Sequence, residues 1–446
     1  MARNRVIYQS EAVYVGPSPA TSGFLTDKTA LVPTGYLGHT NGDGGDFMRP
    51  LGGGTIGAEA NQIKQLHRIQ TCNYSFNIAR TDINQFGELA AIDRVVMDTP
   101  TVSMDFSYIL ATMENELNLG LVIDGSTSCI SGLLSKNSDE KNYFIKTVGE
   151  GRDAVGDEKL SVVGTADETQ TVATIGIGNG FMTSYTTECS VGNFPTCSVN
   201  VEGLNMTFSQ GVSGGSPAIV PESGVRLDSY KYTLPIATGS ASTGILATSA
   251  LRPGDITFSF KKSDAEGSTL VDALDGVAEN TYDSPGAQLG DMTTRAHAKI
   301  QSYNISLDMG REPIQRLGSR YAFTREITFP MTVSLSIDAL VADLTTGSLS
   351  DVINCDDSYD IQINLLRPTN CAGELGGPSQ DIFAQYRLKN CKVNSQSFSS
   401  DIGSNKSVTM EFATQIGGPL QTNQGLFMSG ISTDDFTMAR DDSAQQ

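Results

Sequence analysis

Apolar and polar residues alternate one by one through Cys72, Tyr74, Phe76 and Ile78 against Thr71, Asn73, Ser75 and Asn77. The alternation returns through Tyr303, Ile305, Leu307 and Met309 against Ser302, Asn304, Ser306 and Asp308. A period of two is the signature of a strand with one apolar face and one wet face. A second pair of runs follows the same rule. Val102, Met104, Phe106 and Tyr108 oppose Thr101, Ser103, Asp105 and Ser107, while Val333, Leu335 and Ile337 oppose Thr332, Ser334, Ser336 and Asp338. A slip of one residue would turn every apolar side chain to water, so these strands have a firmly specified register. The wet positions are short hydroxyl, amide and carboxylate side chains, almost free of the Lys, Glu and Arg usual on an open solvent face.

The two sets of runs are copies of each other. Ile69 to Phe106 aligns without a gap on Ile300 to Ile337, 231 positions later. Of the 38 aligned pairs 12 are identical, against about two expected by chance, which marks an internal duplication. Weaker correspondences continue it. Val199–Glu202 resembles Val408–Glu411. Asn142–Ile145 resembles Ser358–Ile361 at an offset of 216, which implies a 15-residue insertion in the first copy. The expected fold is mainly β with a few short helices: two tandem antiparallel β domains, residues 1–222 and 223–446. Each would hold about four long strands and one helix on the apolar face, placed at Ser131–Asn137 and Ser348–Asn354. Early strands are expected at Val6–Val15 and Asp255–Phe260. Long Gly-rich loops follow at Gly35–Gly57 and Ser263–Gly290, and an acidic tail closes the second domain.

Charge narrows the function classes. The chain has 30 Lys and Arg against 50 Asp and Glu, a formal net charge of −20. Nucleic-acid binders concentrate cations because neutralising phosphates supplies most of their affinity, and this chain does the reverse. Seven Cys form no CxxC pair, and Cys72, Cys189 and Cys391 fall inside strand-like runs, where a thiol acts as a small buried apolar group. The N-terminal residues have no apolar core of signal-peptide length, and no run approaches a membrane span. A soluble product of a reducing cytoplasm, with no membrane partner, is expected.

No catalytic constellation emerges. Gly211–Pro217 superficially resembles the nucleophile loop of trypsin-like proteases, but Val212 stands where the Asp belongs, and His39, His67 and His297 lie in no catalytic context. Gly42–Gly54 lacks the Gly-Lys-Ser/Thr ending of a phosphate-binding loop. Asn41–Asp46 lacks the ligand spacing of a calcium loop, and three scattered His make no zinc site. His67 and His297 read as surface residues. Catalytic, metal and cofactor residues are therefore expected to be none.

Each copy also keeps R-x-x-I-x-x-[F/L]-G: Arg80, Ile83, Phe86 and Gly87, then Arg311, Ile314, Leu317 and Gly318. A loop needed only to turn the chain would not retain apolar residues, so these eight positions are candidate ring contacts with a neighbouring ring or subunit. The Gly is expected at positive φ.

The hairpin motif, the runs around it and Gly180–Leu204 resemble the paired barrel strands of tailed-bacteriophage tail tube (major tail) proteins, over about half of the chain. The duplication resembles the two-domain type found in some siphophages. That resemblance implies homotrimeric rings of six-fold appearance that close a continuous β-barrel, stack into a tube and conduct DNA at ejection. It implies contacts with tape measure, baseplate and terminator proteins, assembly in the host cytoplasm and a place in the virion tail. The lumen would be lined by Thr71, Asn73, Ser75, Asn77, Thr101, Ser103, Asp105, Glu202, Ser302, Asn304, Ser306, Asp308, Thr332, Ser334, Ser336, Asp338 and Glu411, past which DNA slides without sticking. A baseplate-hub or capsid decoration protein with the same β units is the alternative, and a surface adhesin or carbohydrate-binding β protein is a third class.

Overall fold

A computed structural model describes residues 11–17, 39–41, 64–97, 100–134, 139–148, 154, 172–211, 215–219, 226–233, 250–262, 299–315, 317, 324–340, 358–366, 382–400 and 405–430. The first half contributes β1 (Glu11–Pro17), β2 (His39–Asn41), β3 (Lys64–Leu66), β4 (Ile69–Asn77), β5 (Thr81–Ile83), β6 (Asp93–Val95), β7 (Thr101–Ile109), β8 (Glu140–Thr147), β9 (Val172–Ser190), β10 (Thr196–Gly203) and β11 (Asn205–Gly211). β12 (Gly215–Ile219) and β13 (Arg226–Thr233) form a hairpin across the expected 222/223 boundary, and β2 pairs with it. The second half contributes β14 (Ile256–Lys262), β15 (Lys299–Asp308), β16 (Arg311–Ile314), β17 (Thr324–Ile327), β18 (Thr332–Leu340), β19 (Tyr359–Leu366), β20 (Ile382–Ser399), β21 (Ser407–Gln415) and β22 (Gly425–Gly430).

The fold is mainly β and its strand pairs are antiparallel. The main sheet runs β14-β19-β20-β21-β18-β15-β9-β10-β7-β4, with β8 and β11 also on β9, and β22 also on β20. The duplicated runs become β4 with β7 and β15 with β18, whose bounds at Asn77, Thr101 and Ile109 fall 231 positions from those at Asp308, Thr332 and Leu340. Each half has the four long strands expected. It also has three more, β1, β8 and β11 or β14, β19 and β22, which pair around the first part of the long strand β9 or β20.

Each long strand changes partners midway. β9 pairs with β8 and β11 up to about Phe181 and with β10 and β15 beyond it. At the change-over Asn179 has φ 54°, and its backbone N–H donates to Asn142 Oδ1 at 3.0 Å. β20 does the same at Asn390, φ 55°, whose N–H donates to Asp360 Oδ1 at 2.9 Å. Non-Gly residues rarely occupy this left-handed region, and Asn tolerates it best. The neighbouring strands skip register beside both residues, so each is a β-bulge that re-aims the strand.

These bulges correct the sequence alignment. Asn142 matches Asp360, 218 positions on, so the expected offset of 216 was two short and the insertion is 13 residues (231 minus 218). Opposite the duplicated strands, Val199 pairs with Phe106 and Met410 with Ile337. Val199 therefore matches Met410 rather than Val408, and Glu411 corresponds to Asn200 rather than Glu202. A slip of two preserves which face a residue occupies and changes only its partner.

The helix is also displaced from expectation. α1 spans Glu114–Leu119 and ends at Gly120, φ 97°, in a left-handed cap. Residues 131–134 belong to a 3-10 turn and its exit, and 348–354 lie outside the described residues, as do 1–10, the bulk of both Gly-rich loops and the acidic tail. His67 is half-buried and not a surface residue, since Asn115 of α1 bonds both its N–H and its C=O. Cys72, Cys129, Cys189, Cys197 and Cys391 are free thiols, and burial pushes that of Cys197 up to about 12.

Polar contacts deep in the core join the halves. Glu116 of α1 accepts hydrogen bonds from Tyr108 Oη at 2.8 Å and Tyr185 Oη at 3.0 Å, and Tyr185 Oη lies 3.1 Å from Tyr386 Oη on β20. Arg311, at the start of β16, reaches back into the first half. Its guanidinium makes a two-pronged bond to Asp139 at 2.6 and 2.8 Å and donates to the Met182 carbonyl at 2.6 Å. The same group lies 5.3 Å from the centre of the Phe181 ring, with its side chain 0% exposed. Arg325 on β17 is likewise buried and pairs with Glu202 on β10.

Arg311→Ala leaves half-buried Asp139 with only the attraction of Lys141, and the expected loss is about 3 kcal/mol of unfolding free energy in a denaturant titration. Burial pushes the Glu116 carboxyl above its ordinary value of 4.5, with the tyrosine hydroxyls pulling partly the other way. An acid whose pKa folding raises costs nothing below its ordinary value and progressively more as pH climbs through the raised value, so this group erodes stability with rising pH. Glu116→Gln should therefore gain stability relative to wild type as pH rises above about 4.5. An unchanged difference across that range would show that the carboxylate is already compensated.

Candidate functional site

The part of the sheet from β20 through β21, β18, β15, β9, β10 and β7 to β4 forms one layer of eight strands. One side of it is the core, with Val102, Met104, Phe106, Tyr185, Val199, Ile305, Leu335 and Phe412 all buried. Alternation therefore puts the intervening residues on the opposite side, and it is there that the residues expected to line a lumen meet. Register places Asn73 opposite Asp105, Asp105 opposite Asn200, Asn200 opposite Ser184, and Ser184 opposite Asp308. Ser306 faces Ser334 and Thr186, and Asn304 faces Ser336 and Glu188, with Glu411 next to Ser336.

The face is knitted by short side chains across neighbouring strands. Thr71 and Ser107 hydroxyls lie 2.7 Å apart, Ser75 and Ser103 hydroxyls 2.6 Å apart, and Asn73 Nδ2 donates to Asp105 Oδ2 at 2.8 Å. Further across, Asn200 Nδ2 donates to Ser184 Oγ, Ser302 Oγ to Asp338 Oδ2 and Ser395 Oγ to Glu411 Oε2, each at 2.7 Å. Thr409 adds a second donor to Asp338. Cross-strand pairs of this kind stabilise a sheet by a few tenths to about 1 kcal/mol each.

Thr71, Asn73, Ser75, Asn77, Thr101, Ser103, Asp105, Asp308, Thr332, Ser334 and Glu411 are exposed, and Glu202, Ser302, Asn304, Ser306, Ser336 and Asp338 are half-buried. Glu202 stands apart because it faces Arg325. Sequence reasoning did not single out Ser184, Thr186, Glu188 and Asn200. The first three lie on β9, which carries Thr187 at a core position, fully buried, and this blurs the apolar period; Asn200 lies on β10. Lys392 at one end of the face is an exposed cation.

The hairpin residues divide. Ile83, Phe86, Ile314 and Leu317 are exposed, Phe86 and Leu317 completely so at 107% and 104%. Gly87 has φ 94°, and Gly318 lies outside the described residues. Arg80 is exposed, whereas Arg311 is committed to the first half of its own chain.

No family model matches the chain, and no curated protein does. Solved structures are similar over part of it. A PVC sheath-tube complex of an extracellular contractile injection system in the extended state is 14% identical, at TM-score 0.21, over 28% of this chain and 76% of that one. The baseplate of the anti-feeding prophage is 16% identical, at TM-score 0.18, over 30% and 80%. An Hcp protein is 8% identical, at TM-score 0.21, over 40% and 98%.

Replacing Asp105 by Lys tests whether its environment is wet. On a hydrated face the unfolding free energy should move by no more than about 1 kcal/mol, since only the bond from Asn73 is lost. A larger loss would show that the position is packed.

Proposed function

We propose that this chain is a structural subunit of a tail tube: a two-unit major tail protein whose rings stack into a conduit for DNA. The observation that carries the reading is the eight-strand face itself. It is continuous across both copies, built from short polar side chains, and supplied with carboxylates at Asp105, Glu188, Asp308, Asp338 and Glu411. A wall of this chemistry repels phosphates and offers few long cations to hold them, so a polyanion moves along it without adhering. Behind the wall lies an apolar core, so the charge sits on a rigid backing. The two-unit organisation favours three chains per ring, with the halves near residues 1–222 and 223–446 as the repeating units.

Electron microscopy of the purified protein, combined with mass measurement, tests this directly. Stacked rings of three chains with six-fold appearance are expected. Isolated rings that never stack would point to a hub or decoration protein instead. In assembled particles, Lys at Asp105, Asp308 and Asp338 together should slow DNA ejection at least about tenfold, because each ring then adds phosphate-binding points. Ejection at the normal rate would remove the conduit assignment.

The exposed hairpin apolars are assigned to contacts between rings. Phe86→Ser with Leu317→Ser should yield a soluble, folded subunit whose tubes are short or absent. Normal long tubes from that variant would overturn the stacking role.

A further inference from the structure

The duplication supplies a template for a junction that one chain cannot complete. Within the chain, the second half docks on the first by strand pairing: β15 lies antiparallel to the last part of β9, with Tyr303 opposite Cys189, Ile305 opposite Thr187, Ser306 opposite Thr186 and Asp308 opposite Ser184. β4 is the copy of β15, and β20 is the copy of β9, superimposed at 211 positions by Asn179 and Asn390. Among the described residues, the last part of β20 pairs only with β21, and β4 pairs only with β7. Among the described residues this layer therefore ends in two open edges, each the counterpart of one side of its own internal junction.

Burial shows what is missing. Tyr303, Ile305, Leu307 and Met309 are at most 3% exposed, while their copies Cys72 and Tyr74 are half-buried and Phe76 and Ile78 are 40% and 38% exposed. On the other edge Phe398 is 48% exposed, where its counterpart Thr187 is fully buried. The β4 edge carries an uncovered apolar side and a wet side of short polar groups, as the internal junction does, whereas the core side of the β20 edge holds Phe398 between Gln396 and Ser400. Two long open edges of this kind are a standing template for pairing with another chain.

We infer that β4 of one chain adds to the open edge of β20 of the next, in the register of the internal junction: Cys72 opposite Ser400, Tyr74 opposite Phe398, Ser75 opposite Ser397, Phe76 opposite Gln396 and Asn77 opposite Ser395. The occupant is a second copy of this chain, and the contact is head to tail, so it repeats until a ring closes. This rests on the tube reading and gives it a residue-level joint. Arg80 belongs to the same joint. Its copy Arg311 donates to the Met182 carbonyl across the internal junction. The counterpart of Met182 is Val393, at the start of the open edge of β20, so exposed Arg80 is placed to bond the Val393 carbonyl of the neighbouring chain.

Disulfide trapping in the assembled full-length protein tests the register. Successive pairs along an antiparallel ladder alternate between wide and close geometry, and the close pair brings Cβ atoms near enough to bridge. Two variants on opposite faces cover both cases: Ser400→Cys, which would join the native Cys72, and Ser75→Cys with Ser397→Cys. On mild oxidation at least one should give a covalent ladder ending at the ring size, while Ser75→Cys with Ser395→Cys, two residues out of register, should not. For Ser400→Cys the ladder should vanish when Cys72→Ser is added. Arg80→Ala should weaken self-association about tenfold with an unchanged melting temperature, in contrast to Arg311→Ala.

Rings that form while neither in-register variant cross-links would overturn the joint and leave the tube reading intact. Cross-linking by the offset variant instead would do the same. An in-register ladder from particles that never stack would support the joint and sink the tube. A subunit that stays monomeric at high concentration would overturn both.

Discussion

The backbone N–H of Asn179 is held by Asn142, and that of Asn390 by Asp360, and through these two bonds each long strand serves two layers. A regular strand of 19 residues would run straight through one layer and leave the apolar faces of β7 and β10 without cover. Inserting one residue in the left-handed region bends the strand at the cost of local strain, and the side-chain acceptor beside it offsets that cost. The first part of the strand then belongs to the layer with β8 and β11. The second belongs to the polar-faced layer with β10. Because both halves keep the bend, the core between layers can be filled the same way twice, and the tyrosines around Glu116 can meet from different halves.

Much of this was legible in the residues. Alternation located β4, β7, β15 and β18, and the ungapped repeat fixed their equivalence. The wet face followed from the same pattern. What the sequence hid were the features with no period. The bulges break alternation, and the connections between strands differ in length between the halves, so the weaker segments aligned two residues off, with faces right and partners wrong. Six-residue α1 is too short for a helical stripe to stand out. Arg80 and Arg311 look identical in sequence, yet one is exposed and the other sealed against Asp139 and Phe181. Their environments differ because only one of them has another unit of the same chain beside it.

That inequality explains how the copies have diverged. Strand β15 can carry Ile305 and Leu307 because β9 covers it wherever the chain folds. Strand β4 has half-buried Cys72 and Tyr74 at the first corresponding positions and exposed Phe76 at the next. Tyr74 has a polar tip that tolerates water, so its exposure carries a smaller penalty. The hydroxyl and amide ladder from Thr71 to Ser75 further reduces the number of unsatisfied side-chain donors on the waiting strand.

The pairing of β15 with β9 would also change the mass action of the proposed assembly. In the proposed ring, joining two units in one chain makes every second junction intramolecular. Such a junction is governed by an effective concentration set by the linkage and not by the amount of protein present. Its strand pairing, the Arg311 clamp and the tyrosine contact are all formed before any two chains meet. In that ring, dilution would act on the joints between chains and leave those within each chain closed.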